Sequence, residues 1–253
     1  MIRIRIFVFI LTLLSFSSRI FGQELSSDSI NINNKLRFNH LSLIIPTVLI
    51  GYGVVGVESD GIKVWNSGIK EELNENIDEK LTIDDFSQYA PMLSVYTLSA
   101  LGIKGKNNFR DKTTILATSY LIMSTAITSL KWTTKVKRPD SSSDNSFPSG
   151  HTATAFMGAE FLWQEYRDVS VWYGITGYII ATGTGFFRMY NDRHWLTDVA
   201  AGAGIGILST KIAYWVNPFI TNKIFCNKNS QSSSILYPYY NGKQIGIGLA
   251  LQL

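Results

Sequence analysis

The chain of 253 residues has very little cysteine, since Cys226 is its only one. A single cysteine excludes an intramolecular disulfide and any metal site built from several thiolates. The sequence also lacks internal repeats and low-complexity linkers, so its length favours one domain with a substantial core.

Charge is scarce as well. Charged residues make up 17% of the chain against 45% apolar residues, which is more apolar than a typical soluble enzyme. The mean hydropathy is nevertheless near zero, which is low for a polytopic membrane protein, so composition leaves both classes open. The net charge of +4 is modest and its cations are scattered, so we expect no nucleic-acid partner.

The first 22 residues have the layout of an export signal. Arg3 and Arg5 precede an apolar run over residues 6–14, and small and polar residues then lead to Gly22. The run is too short to span a membrane well, which favours a cleavable leader, with an uncleaved anchor as the alternative. Either way, we expect the mature chain to be exported across a membrane or held in one.

Apolar segments predict an all-α bundle of about six helices. The predicted helices cover residues 41–57, 89–103, 113–134, 149–163, 171–187 and 195–216. Gly202, Gly204 and Gly206 would let the last helix approach its neighbours closely. Residues 41–57 carry no charge but contain Pro46, so this segment could cross a membrane, insert halfway or form a buried core helix.

Two stretches fall outside this apolar pattern. Residues 58–88 hold nine Asp or Glu against three Lys, and we interpret them as a solvated cap rather than a partner-binding face, with a helix entry at Thr82-Ile83-Asp84-Asp85. Residues 235–240 and 244–253 flank Asn241-Gly242, which indicates a small β-hairpin in a C-terminal tail. His40 is interpreted as an interfacial or surface residue.

The chemically suggestive residues form three motifs. These are Lys131-x6-Arg138-Pro139, Pro148-Ser149-Gly150-His151 and Arg188-x5-His194-x3-Asp198. The first follows one predicted helix and the second opens the next. The third lies between the last two helices. Because short loops make consecutive helices antiparallel neighbours, we expect all three motifs to meet at one end of the bundle.

Each motif suits an oxyanion, most plausibly phosphate. The cations Lys131, Arg138 and Arg188 would surround phosphoryl oxygens. Ser149 and Gly150 open a helix whose N-terminus favours an anion.

The two histidines receive different roles from their neighbours. Asp198 stands four residues after His194, on the same helix face, so it could accept the Nδ1 proton and leave Nε2 as a nucleophile. His151, beside the anion site, would protonate the leaving oxygen.

Together these motifs resemble the signatures of the type 2 phosphatidic acid phosphatase and haloperoxidase superfamily, over roughly residues 89–216. The resemblance implies that His194 forms a phosphohistidine, with Asp198 orienting it and His151 as general acid. It implies phosphate ligands at Lys131, Arg138, Ser149, Gly150 and Arg188, and no metal or other cofactor. The family usually has a serine before the arginine of the third motif, where this chain has Phe187, so one hydroxyl contact to phosphate is missing.

The expected function is therefore hydrolysis of a lipid phosphate or pyrophosphate by a membrane-associated enzyme. The domain assignment is a leader or anchor at 1–22, a helical phosphatase domain at 23–218 and a tail at 219–253. The alternatives are a broad-specificity periplasmic acid phosphatase, a vanadium haloperoxidase, for which a larger chain is expected, and a non-catalytic lipid-binding protein.

The basic turn at 104–112 and the basic tail after Asn217 favour an active site outside the cytoplasm, facing the periplasm or the exterior. Six full spans behind a cleaved leader would instead place the catalytic loops inside. The number of spans and the oligomeric state are left open.

Overall fold

A computed structural model describes residues 40–75, 82–225, 233–240 and 245–252. The predicted leader and the side chain of His40 lie outside this description. Within it, a 3-10 turn at His40–Leu43 precedes eight α-helices and two strands. The elements are α1 Ile44–Glu58, α2 Asp60–Asn74, α3 Ile83–Ser87, α4 Ala90–Ala100, α5 Phe109–Thr134, α6 Gly150–Tyr166, α7 Val171–Tyr190, α8 Leu196–Phe225, β1 Ser233–Tyr240 and β2 Ile245–Gln252.

The predicted all-α bundle is confirmed, and the six predicted helices correspond to α1 and to α4 through α8. The helix entry predicted at Thr82 is also present, as the start of α3. The interpretation of residues 58–88 as a solvated cap agrees with most of the described side chains of this stretch, which are exposed, but not with all of them. This stretch folds into α2 and α3 and sends buried side chains inward, among them Asn66 at 6% exposure and Asp84 at 1%.

Glycines allow α8 to lie unusually close to α6, as the sequence predicted. A Cβ atom on Gly202 would come within 2.5 Å of the carbonyl oxygen of Ser149, and one on Gly206 within 2.3 Å of that of Ala153. No side chain fits at such distances, so glycine is what permits this approach. α8 therefore contacts the first turn of α6, where the second motif lies.

The core beneath this contact is formed by apolar side chains from three helices and one loop. Met123 and Ile127 of α5 pack with Met157 of α6, with Phe147 of the α5–α6 loop and with Ile205 of α8, all nearly inaccessible to solvent. Burial of large apolar side chains is the main stabilising contribution available to such a bundle. It holds the ends of these helices in fixed positions.

Four helix ends meet at one end of the bundle. The backbone N–H of Ser149, before α6, donates to the carbonyl of Asp198 in the first turn of α8 at 3.0 Å. The N–H of Ser146 donates to the carbonyl of Val136, just after α5, at 2.9 Å, and the indole N–H of Trp195 donates to the carbonyl of Lys137 at 2.9 Å. The expected convergence of the three motifs is thus confirmed.

Three helical segments of the described chain are long and apolar enough to cross a membrane. They are Leu41–Glu58, Phe109–Thr134 and Leu196–Thr221. By length and composition they mark the chain as a membrane protein.

The chain divides into two compact units after Trp215. In the second unit, β1 and β2 pair antiparallel in a register that joins Tyr240 to Ile245 and Ser233 to Gln252. The predicted hairpin is therefore present, and its Asn241-Gly242 turn lies outside the described residues.

Candidate active site

His194 is a deeply buried titratable group of the third motif. It sits just before α8, its side chain is 2% exposed, and its backbone N–H donates to the carbonyl of Arg188 at 3.2 Å. Burial lowers the pKa of His194 to about 4, against the opposing effect of Asp198 and with a further lowering from Lys131 and Arg188. The imidazole is therefore neutral at neutral pH and has a lone pair available for attack.

Asp198 holds the Nδ1 side of this ring together with a serine. Its Oδ2 atom lies 3.5 Å from Nδ1 of His194 and accepts hydrogen bonds from the hydroxyl of Ser146 and, at 2.9 Å, from the backbone N–H of Trp195. The Ser146 hydroxyl itself lies 3.5 Å from Nδ1. The ring nitrogen that faces away from this pair, Nε2, has no hydrogen-bond partner among the described residues.

The two cations of the first motif are tied to one loop residue. Lys131, in the last turn of α5, donates its ammonium to the carbonyl of Asn145, and Nε of Arg138 donates to the Asn145 side-chain oxygen at 3.0 Å. Burial and the positive charge of Arg188 lower the pKa of Arg138, so the two guanidinium groups lie close enough to repel. Such a cluster of like charges gains stability when an anion binds between them.

Arg188 ends α7 and is buried at 7% exposure. Its Nη1 atom donates to Oδ2 of Asp84 at 2.5 Å and lies 3.6 Å from Oδ1 of Asp85. Its Nε atom is buried without a hydrogen-bond partner among the described residues. A buried donor without a partner is costly, so Nε is a free contact point for an anion's oxygen.

The second motif opens α6. Ser149 is its N-cap and accepts a hydrogen bond from the N–H of Thr152 at 3.4 Å. Gly150 and His151 are the first residues of the helix, where backbone N–H groups lack acceptors within the helix and the helix dipole is positive. This end of α6 is thus suited to an anion.

His151 meets a carboxylate that the motifs did not include. Its Nε2 atom lies 3.0 Å from Oδ1 of Asp85, and the two side chains are 32% and 51% exposed. Burial and the charge of Arg188 lower the pKa of His151, while Asp85 and Asp84 raise it.

A cavity of about 170 Å³ joins the two arginines. Arg138, Arg188 and Arg193 border it on the cationic side, and Asp84 and Asp85 border it on the other. A larger cavity of about 270 Å³ touches Asp198 but neither Arg138 nor Arg188. The smaller cavity therefore brings Arg138 and Arg188 to one space, while His151 and His194 do not line it.

Phe187, which stands where the resemblance led us to expect serine, faces aromatic neighbours. Its ring packs edge-on against Phe186 and Tyr190, with centroids 5.8 Å and 5.9 Å away. The position thus supports the end of α7 by aromatic packing.

All eight predicted site residues lie at one end of the bundle. Four of their partners there were not predicted from the sequence: Ser146, Asn145, Asp84 and Asp85. Ser146 is one of four serines in residues 141–146, and nothing in the sequence distinguishes it. Asp84 and Asp85 carried one usable signal, since they sit in a predicted helix entry that lies in a stretch otherwise interpreted as solvated.

The family model described as the PAP2 superfamily matches residues 112–221, which include all three motifs. This segment is a PAP2 superfamily domain. Its N-terminal boundary falls within α5, so α1 through α4, which supply Asp84 and Asp85, lie outside the matched PAP2 segment.

Two curated relatives are similar in sequence to part of this chain. A protein of Porphyromonas gingivalis named lipid A 1-phosphatase is 37% identical over 139 residues, which cover 54% of this chain and 31% of that protein. A protein of Bacillus licheniformis named bacitracin transport permease protein BcrC is 36% identical over 75 residues, which cover 30% of this chain and 35% of that protein. The chain thus spans about a third of the length of each.

Among solved structures, the crystal structure of Aquifex aeolicus LpxE is similar at a TM-score of 0.46 and 24% identity, and the match covers 59% of this chain and 94% of that one.

The described part of the chain contains no group of three or more His, Cys, Asp and Glu placed to hold a metal ion.

Proposed function

We propose that the chain is a phosphatase that removes phosphate from a lipid phosphate or pyrophosphate, without a metal ion, through a phosphohistidine on His194. The observation that carries this proposal is the buried imidazole of His194, whose Nδ1 faces Asp198 and Ser146 at 3.5 Å, at the end of the bundle that also holds Lys131, Arg138 and Arg188.

In the first step, Nε2 of His194 attacks phosphorus and the bond from phosphorus to the leaving oxygen breaks. His151 gives that oxygen a proton, so the alcohol or phosphate leaves uncharged at that atom. In the second step, water attacks the phosphohistidine, gives its proton to His151 and releases inorganic phosphate. Lys131, Arg138, Arg188 and the N-terminus of α6 stabilise the charge that develops on the phosphoryl oxygens.

A lipid substrate is favoured by what surrounds the site. Phe86, next to Asp85 on α3, is 78% exposed, and Leu93 on the following helix is 59% exposed. Exposed apolar side chains beside a polar site fit a substrate whose phosphate enters the site while its chains stay in the bilayer. The name of the Porphyromonas gingivalis relative, lipid A 1-phosphatase, is consistent with such a substrate.

Membrane insertion is supported by the aromatic residues of α5. Phe109 at its start and Trp132 near its end are 73% and 82% exposed. At a rise of 1.5 Å per residue they are separated by about 35 Å, close to the thickness of a bilayer's hydrocarbon core. Exposed aromatic residues at that spacing are typical of the two membrane interfaces.

We further propose that the active site faces the exterior or periplasm. The opposite end of α5 follows the basic turn at 104–112, in accord with the tendency of positive charge to stay in the cytoplasm. Lys112 of this turn is not a solvent-exposed positive charge, because it is buried at 3% exposure and its ammonium lies 3.8 Å from the Glu165 carboxylate. Lys104, Lys106 and Arg110 remain.

Phosphate release from lipid phosphates in mixed micelles and from soluble phosphomonoesters tests the function, with and without a chelator. We expect release from the lipid that persists in chelator and disappears in His194→Ala. Full activity in that variant, or complete loss in chelator, would overturn the mechanism. Activity on soluble esters alone would favour a broad-specificity acid phosphatase.

The orientation can be tested with two matched substitutions in a Cys226→Ser background. Asp144→Cys lies in an exposed loop at the site end and Asp168→Cys in an exposed loop at the other end. In intact cells an impermeant maleimide should label the first and spare the second. The reverse pattern would place the site in the cytoplasm.

A further inference from the structure

The short helix α3 is anchored to the end of α7 by a buried carboxylate. Asp84 accepts hydrogen bonds from Nη1 of Arg188 at 2.5 Å and from the side-chain amide of Asn191 at 3.1 Å. The hydroxyls of Ser87 and Thr184 add a further contact at 2.8 Å. These contacts fix the position of the residue between them, Asp85.

Asp85 uses that position to reach the second motif. Its Oδ1 atom lies 3.0 Å from Nε2 of His151, and the same oxygen lies 3.6 Å from Nη1 of Arg188. The Asp85 side chain is 51% exposed, so water can solvate its carboxylate and burial does not force it to pair with His151. The pairing mirrors that of His194, whose Nδ1 faces Asp198 while Nε2 stays open.

We propose, on the basis of the function proposed above, that Asp85 is a positioning residue for the general acid. Its carboxylate holds the Nε2 side of the His151 ring and stabilises the imidazolium, and Nδ1 is left to deliver the proton. In the step concerned, the proton passes from Nδ1 to the leaving oxygen, that oxygen keeps the electron pair of its broken bond to phosphorus, and His151 becomes neutral.

The charges around His151 show why such a residue is needed. The helices packed against α6 are α3, α4, α5, α7 and α8, and α8 contributes Asp198, whose carboxylate faces His194. α4 has no Asp, Glu, Lys, Arg or His, and α5 contributes Lys131 at its near end. α7 contributes Arg188, and α3 contributes Asp84 and Asp85.

Burial and Arg188 both lower the pKa of His151, whereas the hydrogen bond and charge of Asp85, then Asp84, raise it. Without Asp85, the only carboxylate on α3 that raises the pKa of His151 would be that of Asp84, which is buried and already bound to Arg188 and Asn191. Without the Asp85 carboxylate, His151 would therefore lose its proton at a lower pH. Because a general acid must be protonated when the substrate is bound, the enzyme would lose activity at that lower pH.

A different role is conceivable for the same contact. Asp85 could occupy the phosphate's place on Arg188 and His151 and compete with substrate. The two roles give opposite results when its charge is removed, because a competitor's removal strengthens anion binding while a positioning residue's removal weakens catalysis.

The experiment compares wild type with Asp85→Asn, Asp85→Glu and the control Glu72→Gln, whose carboxylate is exposed on α2. The full chain in detergent micelles is labelled with ¹³C-histidine. Because it has three histidines, the His151 signal is assigned by its loss in His151→Gln. Its titration is followed by NMR, and lipid phosphate hydrolysis is measured from about pH 5 to about pH 9.

We expect the pKa of His151 to fall in Asp85→Asn and the alkaline limb of kcat to move to lower pH. Activity should then fall several-fold in alkaline buffer and be closer to wild type in acid. Asp85→Glu should recover most of both, and Glu72→Gln should match wild type. An unchanged His151 titration in folded Asp85→Asn would overturn the proposal, as would higher activity with tighter binding of inorganic phosphate.

The NMR titration separates this proposal from the proposed function. If wild type hydrolyses no lipid phosphate, the function fails, yet the Asp85–His151 pairing is still measured directly. If wild type is active and the His151 titration does not respond to Asp85→Asn, the pairing fails and the function stands.

Discussion

The hydroxyl of Ser146 donates a hydrogen bond to Oδ2 of Asp198, the carboxylate oxygen that faces Nδ1 of His194. Ser146 is fully buried and lies in the loop before α6, so it links the second motif to the third. The orienting group for His194 is therefore a serine–aspartate pair rather than an aspartate alone.

Ser146→Ala should lower lipid phosphate hydrolysis. The substitution removes a donor from a buried carboxylate, which costs about 1–3 kcal/mol for such a group. If the same energy is lost from the transition state, kcat falls roughly 5- to 150-fold. Steady-state kinetics on the folded variant measure the effect.

Ser209→Ala is the matched control for that change. Ser209 is also buried, at 2%, and its hydroxyl donates to the carbonyl of Ile205 within α8 at 2.7 Å. Equal rates in the two variants would show that Ser146 does not orient His194.

Stability should fall in acid because of His194. The pKa of His194 is lowered from 6.5 to about 4 in the folded state, so between these pH values the unfolded chain binds a proton at His194 and the folded chain does not. The free energy of unfolding is thus unaffected by His194 above pH 6.5, and it falls progressively by about 3 kcal/mol as the pH falls from 6.5 to about 4.

Thermal unfolding in detergent at several pH values measures this loss, and His194→Gln is the reference because glutamine does not titrate. The difference in Tm between wild type and His194→Gln should shift against wild type as the pH falls through that window. A difference that is constant from neutral pH down to about pH 4 would contradict a buried neutral imidazole.

Asp84→Asn should destabilise the fold strongly. Asp84 is 1% exposed and neutralises Arg188, which is 7% exposed, and removing one partner of a buried ion pair costs about 3–5 kcal/mol. Asp60→Asn is the control, because its carboxylate is 99% exposed and forms an ion pair with its helix neighbour Lys63. Similar unfolding temperatures for the two variants would argue against a buried Asp84–Arg188 pair.

The helices and motifs that follow local patterns could be predicted from the sequence, and α2 is a helix that was not predicted although its sequence is amphipathic. Its inward positions include Ile62 and Ile69 at helical spacing, but Asn66 stands between them and is buried by a hydrogen bond to Thr197. Val64 and Trp65 meanwhile point outward, at 73% and 59% exposure. These exceptions interrupt a helix whose apolar residues nevertheless favour one face, so the periodicity could have predicted α2. The acidic composition of the stretch led instead to its interpretation as a cap.

The partners of the site residues could not be predicted for a different reason. Asp84 pairs with Arg188 across 104 positions of sequence, and no local pattern encodes a contact at that separation. Motif spacing did predict that Asp198 lies beside His194, although His194 precedes α8 rather than belonging to it. A contact with a side chain from another element has no corresponding spacing in the sequence.

Gly202→Ala should loosen the contact between α6 and α8. The new Cβ atom would lie 2.5 Å from the carbonyl oxygen of Ser149, the N-cap of α6, so the helices must separate. Overpacking of this kind costs about 1–3 kcal/mol. The shift should also lower activity, because the first turn of α6 carries Gly150 and His151.

Gly183→Ala is the matched control for that substitution, since a Cβ atom at this position of α7 would meet nothing within 4 Å. Alanine there should be neutral or stabilising by up to about 1 kcal/mol, because it favours the helix. Unfolding temperature and kcat together decide the outcome: a fall in both for Gly202→Ala and in neither for Gly183→Ala is expected. If Gly202→Ala kept full stability and activity, the close approach of α8 would not be what positions the N-terminus of α6.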